Sequence, residues 1–356
     1  MKIYAMYLPQ FHTFKENDEW WGKGFTEWVN TKKAKPLYKN HYQPKTPLNN
    51  NYYNLLNDST MEEQAKLAKK YGIDGFIFYH YWFNGKLLME KPVENMLKNK
   101  KVKIDYCFSW ANEPWTRSWD GKSKEIIMPQ NYGNELDWIK HYDYLKDFFH
   151  DDRYIKINNM PVLFIYRMNS IKNFENMMKC FDYEAKKDGF DGIYIVETLT
   201  AFQTNPISKF SKAVYLFEPM YTESNEYDKK CRLINSIKKI IPSLYKGYKY
   251  ALTNDYDMIC KKIIKRNISF DNKSLFLGMF PGWDNTARKG KKASIVEGNT
   301  PEKFGYYLDK LSDKNIPIII NAWNEWAEGA YLEPDIKNQY AYLEKIKEVK
   351  TKYDKK

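Results

Sequence analysis

The run IPIIINAWNEWAEGAYLEPD, residues 316 to 335, decides how this chain is read. Ile316 to Ile320 form a short β-branched stretch of the kind that makes a buried strand. That strand ends in Trp323, Asn324, Glu325, Trp326 and Glu328, so carboxylates and indoles enter a common space. Acids cleave acetals and flat apolar rings stack on a pyranose, which makes a sugar site the natural reading.

Working outward, similar runs recur along the 356 residues. Strand patterns cover residues 2–8, 74–81, 103–110, 161–167, 192–198, 213–219, 275–280 and 316–322. Amphipathic helical patterns fill most gaps, at residues 60–71, 87–99, 134–149, 174–188, 301–313 and 337–353. The alternation predicts an α/β fold, a (β/α)8 TIM barrel in one domain over residues 1–356. Two stretches exceed a minimal βα unit and are expected as insertions, residues 9–59 over the mouth and residues 222–272. An open doubly wound sheet would announce a glycine-rich phosphate turn, and neither G-x-G-x-x-G nor G-x-x-x-x-G-K-[ST] occurs.

Aromatics make up 17% of residues, more than core packing needs, so some are expected on a ligand surface. The formal charge of +12 comes from 57 basic residues, very few of them Arg. Base readers and phosphate clamps lean on Arg for its bidentate fork, so no nucleic-acid partner is expected. Lys229–Lys249 and Lys345–Lys356 are the densest basic stretches and leave contact with an acidic glycan or a membrane surface open. Cys107, Cys180, Cys231 and Cys260 make no metal-ligand or C-x-x-C spacing and read as reduced thiols. With no signal-peptide pattern and no apolar run near the roughly twenty residues of a membrane helix, a cytoplasmic enzyme is expected.

A barrel places its active site where the strands end. Tyr7, Gln10 and His12 close the first strand pattern, His80 and Trp82 the second, and Trp110, Asn112, Glu113 and Trp115 the third. Arg167, Glu197 and Glu218 end the next three. Trp283, Asn285 and Arg288 follow the seventh, and Trp323 and Asn324 stand ahead of the Glu pair. With Trp28 from the first long loop, these form the expected substrate-binding set. Glu325 and Glu328 are the expected catalytic pair, because a helical turn would set both on one face, with Cβ atoms roughly 5–6 Å apart. Two close carboxylates split their proton affinities, one staying protonated while the other ionises. The bland alternatives are that both Glu favour a helix N-terminus, that Glu113 caps a loop, and that Glu197 and Glu218 are buried partners of Arg167. His12 and His80 lack a third ligand at metal spacing, so neither a metal nor a cofactor is expected.

These residues resemble the WbsX-like proteins of polysaccharide and O-antigen gene clusters, whose domain is similar to glycoside hydrolase family 99. The resemblance is carried by YLPQFH (7–12), WWGKGFTEW (20–28), HYWFNG (80–85), WANEPW (110–115), PGWDNTAR (281–288) and NEWAEGAYLEPD (324–335). It implies a (β/α)8 barrel acting on a glycosidic bond with retention through a 1,2-anhydro sugar. Glu325 would deprotonate the 2-hydroxyl and Glu328 would act as acid and then base. Family 99 usually has His where this chain has Ala327, a departure at the position tied to endo-acting α-mannoside cleavage that leaves both carboxylates in place. The expected partner is an oligosaccharide or polysaccharide, lipid-linked or free. Two rival readings stand beside hydrolysis or transglycosylation. One is a glycosyltransferase of lipopolysaccharide synthesis, for which Asp255-Tyr256-Asp257 offers the letters of a metal-holding D-x-D. The other is a non-catalytic glycan-binding protein.

Overall fold

The computed structural model describes residues 1–117, 122–227, 233 and 252–354. Eight parallel strands close into one ring: β1 Ile3–Tyr7, β2 Gly75–Phe83, β3 Asp105–Trp110, β4 Met160–Ile165, β5 Tyr194–Leu199, β6 Ala213–Leu216, β7 Ser274–Met279 and β8 Ile318–Ile320. Each pairs with the next. Ile3, Tyr4 and Ala5 of β1 pair with Ile318, Ile319 and Ile320 of β8 and shut the barrel. Strands covered on both faces need no polar side, which is why they read as continuous apolar runs. Ile318, Ile319 and Ile320 are fully buried.

Helices Asp58–Lys70, Lys91–Lys98, Glu135–Phe149, Phe174–Lys187, Tyr256–Lys265, Pro301–Ser312 and Ala341–Asp354 follow the strands in sequence, one after each except β5, whose connection to β6 is made without a helix. Local chemistry sets their starts. Asn134 accepts from the Leu136 amide while its own amide donates to Asp137, a capping box, and Thr300 caps the helix that opens on Pro301.

Three elements differ from the sequence expectation. The helix expected over 87–99 begins only at Lys91, because Asn84 and Gly85, with φ of 47° and 94°, turn β2 back into a hairpin pairing Tyr81–Phe83 with Lys86–Leu88. The last helix starts at Ala341, later than the 337 expected. Within the 222–272 stretch, Tyr256–Lys265 is a regular helix, capped by Asp255, which accepts from the Met258 amide at 2.7 Å. Asp257 bonds Lys303 at 2.5 Å and the Tyr307 hydroxyl at 2.8 Å. Both carboxylates of the D-x-D letters are therefore committed to holding helices. Cys231, Arg232 and most of the basic stretch Lys229–Lys249 lie outside the described residues.

The 9–59 stretch carries the short helices Lys15–Trp21 and Glu27–Lys33. Cys107, Cys180 and Cys260 are free thiols. Among the described residues no helix is long and apolar enough to cross a membrane.

Candidate active site at the barrel mouth

Beyond β8 the chain forms a tight hairpin. Asn324 and Glu325 pair antiparallel with Tyr331 and Ala330, and Trp326–Glu328 make a single 3-10 turn between them. The expected α-helical face is replaced by this hairpin, which Gly329 closes in the left-handed region at φ 61°. A Cβ on Gly329 would meet the Asp284 backbone nitrogen at 3.0 Å, so glycine also lets the β8 loop press against the β7 loop. Asn324 is a clamp: its Oδ1 accepts from the Leu8 amide at 2.7 Å and its Nδ2 donates to the Leu8 carbonyl at 3.0 Å, tying the hairpin to the end of β1.

The β7 loop brings Arg288 to this hairpin. Asp284 fixes the loop by accepting from the Thr286 amide at 3.1 Å, from Gln43 at 2.7 Å and from the His41 ring at 2.8 Å. Arg288 then bonds three carboxylates: Glu325 at 2.9 Å, Glu27 at 2.7 Å, and Glu328. Glu27 is fully buried on the Glu27–Lys33 helix. One guanidinium among three carboxylates leaves an excess of negative charge out of water. Burial raises the proton affinity of Glu325, Arg288 pulls it back, and the charges of Glu328 and Glu27 push it up further. Glu328 is raised as well, by burial first, opposed by Arg288 and reinforced by Glu27. Such a cluster holds a shared proton near neutrality, so one carboxyl can donate while its neighbour accepts.

The pair opens on a cavity of about 420 Å³. Of the expected site residues, Gln10, Glu113, Trp115, Trp283, Asn285, Arg288, Glu325 and Glu328 line it together. Trp21, Tyr79, Tyr81, Tyr166 and Phe217 complete its aromatic wall. The Arg167 Nε donates to Glu113 at 2.6 Å, which sets Arg167 directly behind that wall.

Five expected contacts point away from the cavity, four of them from the wrong face of a strand and Trp323 from the turn beyond β8. Tyr7, His80, Trp82, Trp110 and Trp323 point outward into the layer beneath the helices. Tyr7 donates to Gln64 of helix Asp58–Lys70 at 2.5 Å, and Trp323 packs on Phe76. His80 meets His141 of helix Glu135–Phe149 with the two Nε2 atoms 2.9 Å apart, Trp82 stacks on His141, and Trp110 donates to the Trp82 carbonyl. Burial keeps His80 neutral, its proton affinity lowered to about 3. Strand side chains alternate, so the neighbours of His80, Tyr79 and Tyr81, are the residues that reach the cavity.

Four other expected contacts, Asn112, Glu197, Glu218 and Trp28, are engaged by the scaffold. Asn112 bridges to the backbone of Arg167, accepting from its amide at 2.8 Å and donating to its carbonyl at 2.9 Å. Glu197 accepts from the Ile207 and Ser208 amides, and Glu218 pairs with Arg266 at 2.8 Å, so neither is a partner of Arg167. Trp28 donates to the Tyr53 carbonyl within the mouth packing. His12 is buried, and that burial lowers its proton affinity to about 4. Among the described residues, no group of three His, Cys, Asp or Glu could hold a metal ion. Sequence reasoning missed Glu27. Its signal was the acidic residue in GFTEW, which a helix start explains equally well.

The family described as "Glycosyltransferase WbsX" matches residues 3–346. The WxcX proteins of two Xanthomonas campestris pv. campestris strains, B100 and ATCC 33913, are each 31% identical over 360 residues, covering 98% of this chain and 50% of theirs. The chain thus spans about half the length of these curated relatives. Among solved structures, a GH99 endo-alpha-mannosidase from Bacteroides thetaiotaomicron superposes with a TM-score of 0.60 at 13% identity, covering 99% of this chain and 97% of that one. A glycoside hydrolase-like protein reaches 0.58 at 12%, covering 98% and 93%. At these identities the likeness establishes the shared barrel.

Proposed function

The chain belongs to the WbsX glycosyltransferase family, and from that premise we propose that it is a retaining glycoside hydrolase or transglycosylase acting on a bacterial surface polysaccharide or its precursor. One observation carries this reading: Glu325 and Glu328, from one hairpin, share the Arg288 guanidinium on an aromatic-walled cavity at the barrel mouth. Glu325 takes the proton of the sugar 2-hydroxyl as O2 attacks C1, and Glu328 protonates the departing glycosidic oxygen. Water or an acceptor hydroxyl then attacks C1 of the anhydro sugar, giving its proton to Glu328, while O2 recovers a proton from Glu325. Glu328 is the more accessible carboxylate, with its side chain 21% exposed against 6% for Glu325, which suits the group that meets leaving group and water. Aromatic rings along the wall offer faces to pyranose rings.

The test is release of new reducing ends from surface polysaccharide fragments, with a 2-deoxy analogue as control. Reducing-end release from the parent sugar, together with an inert 2-deoxy analogue, is expected. Full turnover of the analogue excludes the anhydro route.

The description of the family as a glycosyltransferase favours a second reading, transfer from a nucleotide sugar. Titration with nucleotide sugars by calorimetry separates the two: saturable binding coupled to transfer supports it, and absent binding beside reducing-end release rejects it.

A further inference from the structure

We infer that the protein carries a second carbohydrate-binding cleft, on the flank of the barrel, that takes a neutral or amino sugar. It rests on the glycan reading above but not on the catalytic pair. The cleft has a volume of about 720 Å³, larger than the mouth cavity and within the ordinary range for ligand sites. Its walls are the 47–53 loop, the first turns of helix Asp58–Lys70, and the β8 loop at Glu333 and Pro334, with Tyr340 at the edge ahead of the last helix.

The lining has the chemistry of a sugar site. Tyr52, Tyr53 and Tyr340 supply apolar ring surface, with the buried Trp326 behind them. Tyr340 is 37% exposed and stacks on Tyr71, presenting a braced ring at the rim. Three successive carboxamides, Asn49, Asn50 and Asn51, are exposed beside it and offer paired donors and acceptors for hydroxyls. The charged lining residues are the carboxylates Glu63 and Glu333, with no Lys or Arg among them. The exposed Glu63 disfavours a hexuronate or a phosphorylated sugar beside it and accepts a hydroxyl or an ammonium. Burial raises Glu333 to about 7, and the Lys32 ammonium stands over the Tyr52 ring at 3.9 Å, outside the lining that holds Asn49, Asn50 and Asn51.

Glu333 makes the cleft a built feature. It is buried, and it accepts from Trp326 Nε1 at 2.6 Å, the Tyr53 hydroxyl at 2.9 Å and Gln64 Nε2 at 2.7 Å. The bond to Trp326 ties the cleft to the hairpin of the acid pair, because Trp326 lies between Glu325 and Glu328 in the chain. A glycan bound at the cleft is therefore held on the same hairpin that carries the acid pair.

The test uses full-length protein with Glu325→Gln and Glu328→Gln together, so that turnover cannot obscure binding. Methyl pyranosides, hexosamines and hexuronates are titrated by saturation-transfer NMR. Neutral or amino sugars are expected to bind with dissociation constants of about 1–10 mM, and hexuronates about tenfold more weakly. Tyr340→Ala and Glu63→Gln, both at exposed positions, should each weaken binding roughly three- to tenfold with an unchanged melting temperature. Absence of binding by any neutral or amino sugar overturns the inference, as does affinity that neither variant changes. Sugar binding at this cleft in a wild-type protein that neither hydrolyses nor transfers would sink the proposed function and leave the cleft standing.

Discussion

Two largely enclosed arginines at opposite ends of the barrel show what separates a working cluster from a structural one. Arg153 lies in the loop that enters β4, at the amino end of the strands. It meets one carboxylate, Asp151 at 2.5 Å, and four backbone carbonyls, those of Met96, Leu97, Asn99 and Val102. The exposed Lys100 ammonium lies 3.4 Å from Asp151 as well, so no negative charge is left in excess there and the Arg153 donors are matched. Burial alone would raise Asp151, yet hydrogen bonds and charge from Arg153 hold it down at about 2. Arg288, at the carboxyl end, faces three carboxylates, and two of them are pushed upward. A balanced pair locks its protons in place, whereas an overcharged cluster keeps one within reach of neutral pH.

The sharpest way to break this comparison is to delete each cation. Arg288→Ala strands three carboxylates, two of them buried, and should cost about 3–5 kcal/mol of stability, more at high pH, and abolish turnover. Arg153→Ala should cost about as much stability for the same reason, while the folded fraction keeps full specific activity. Thermal melts and turnover per folded molecule decide it, and an inactive but folded Arg153→Ala protein would erase the distinction.

Next in size are the acids. Glu325→Gln and Glu328→Gln should each lower kcat/KM by about a hundredfold or more, roughly 2.7 kcal/mol. Aryl glycosides with good leaving groups should largely rescue Glu328→Gln alone, because such a group departs unprotonated. Stability should move the other way. A carboxyl raised on folding contributes most below its unfolded value near 4.5 and loses that contribution as pH rises through its folded value. The Gln variants should therefore gain melting temperature over the parent at about pH 9 and not at about pH 4. Equal melting shifts at both pH values would contradict the charge excess.

Asp151→Asn should show the opposite sign. Its folded value lies below the unfolded one, so the native pair stabilises above about pH 4 and loses that contribution as pH falls through about 2. The variant should cost about 2 kcal/mol at neutral pH, with the gap closing in acid and turnover unaffected. Denaturant melts across pH check it, and a pH-independent deficit would contradict the assignment.

The smallest effect belongs to Glu27. Glu27→Gln removes one like charge, lowers the proton affinity of Glu325 and Glu328, and should move the pH profile of kcat/KM downward by about one unit or less. Activity at the new optimum should stay within about tenfold. An unmoved profile would make Glu27 a packing residue.

The sequence by itself determined the barrel and the letters of the site. Runs such as Ile318–Ile320, apolar at every position, have few homes other than a strand covered on both faces, and Glu325-x-x-Glu328 after such a run placed two acids at a strand end. The same double burial hid which side of each strand faces the mouth. With apolar residues on both faces there is no polar alternation to read, so His80 and Trp82 looked as suitable as Tyr79 and Tyr81. Only the tertiary structure decided that parity, and only it brought Glu27 to Arg288 across 261 residues. Local pattern reports whether a side chain is buried. A charge cluster depends on which loops the closed ring sets side by side, and no neighbourhood in the chain records that.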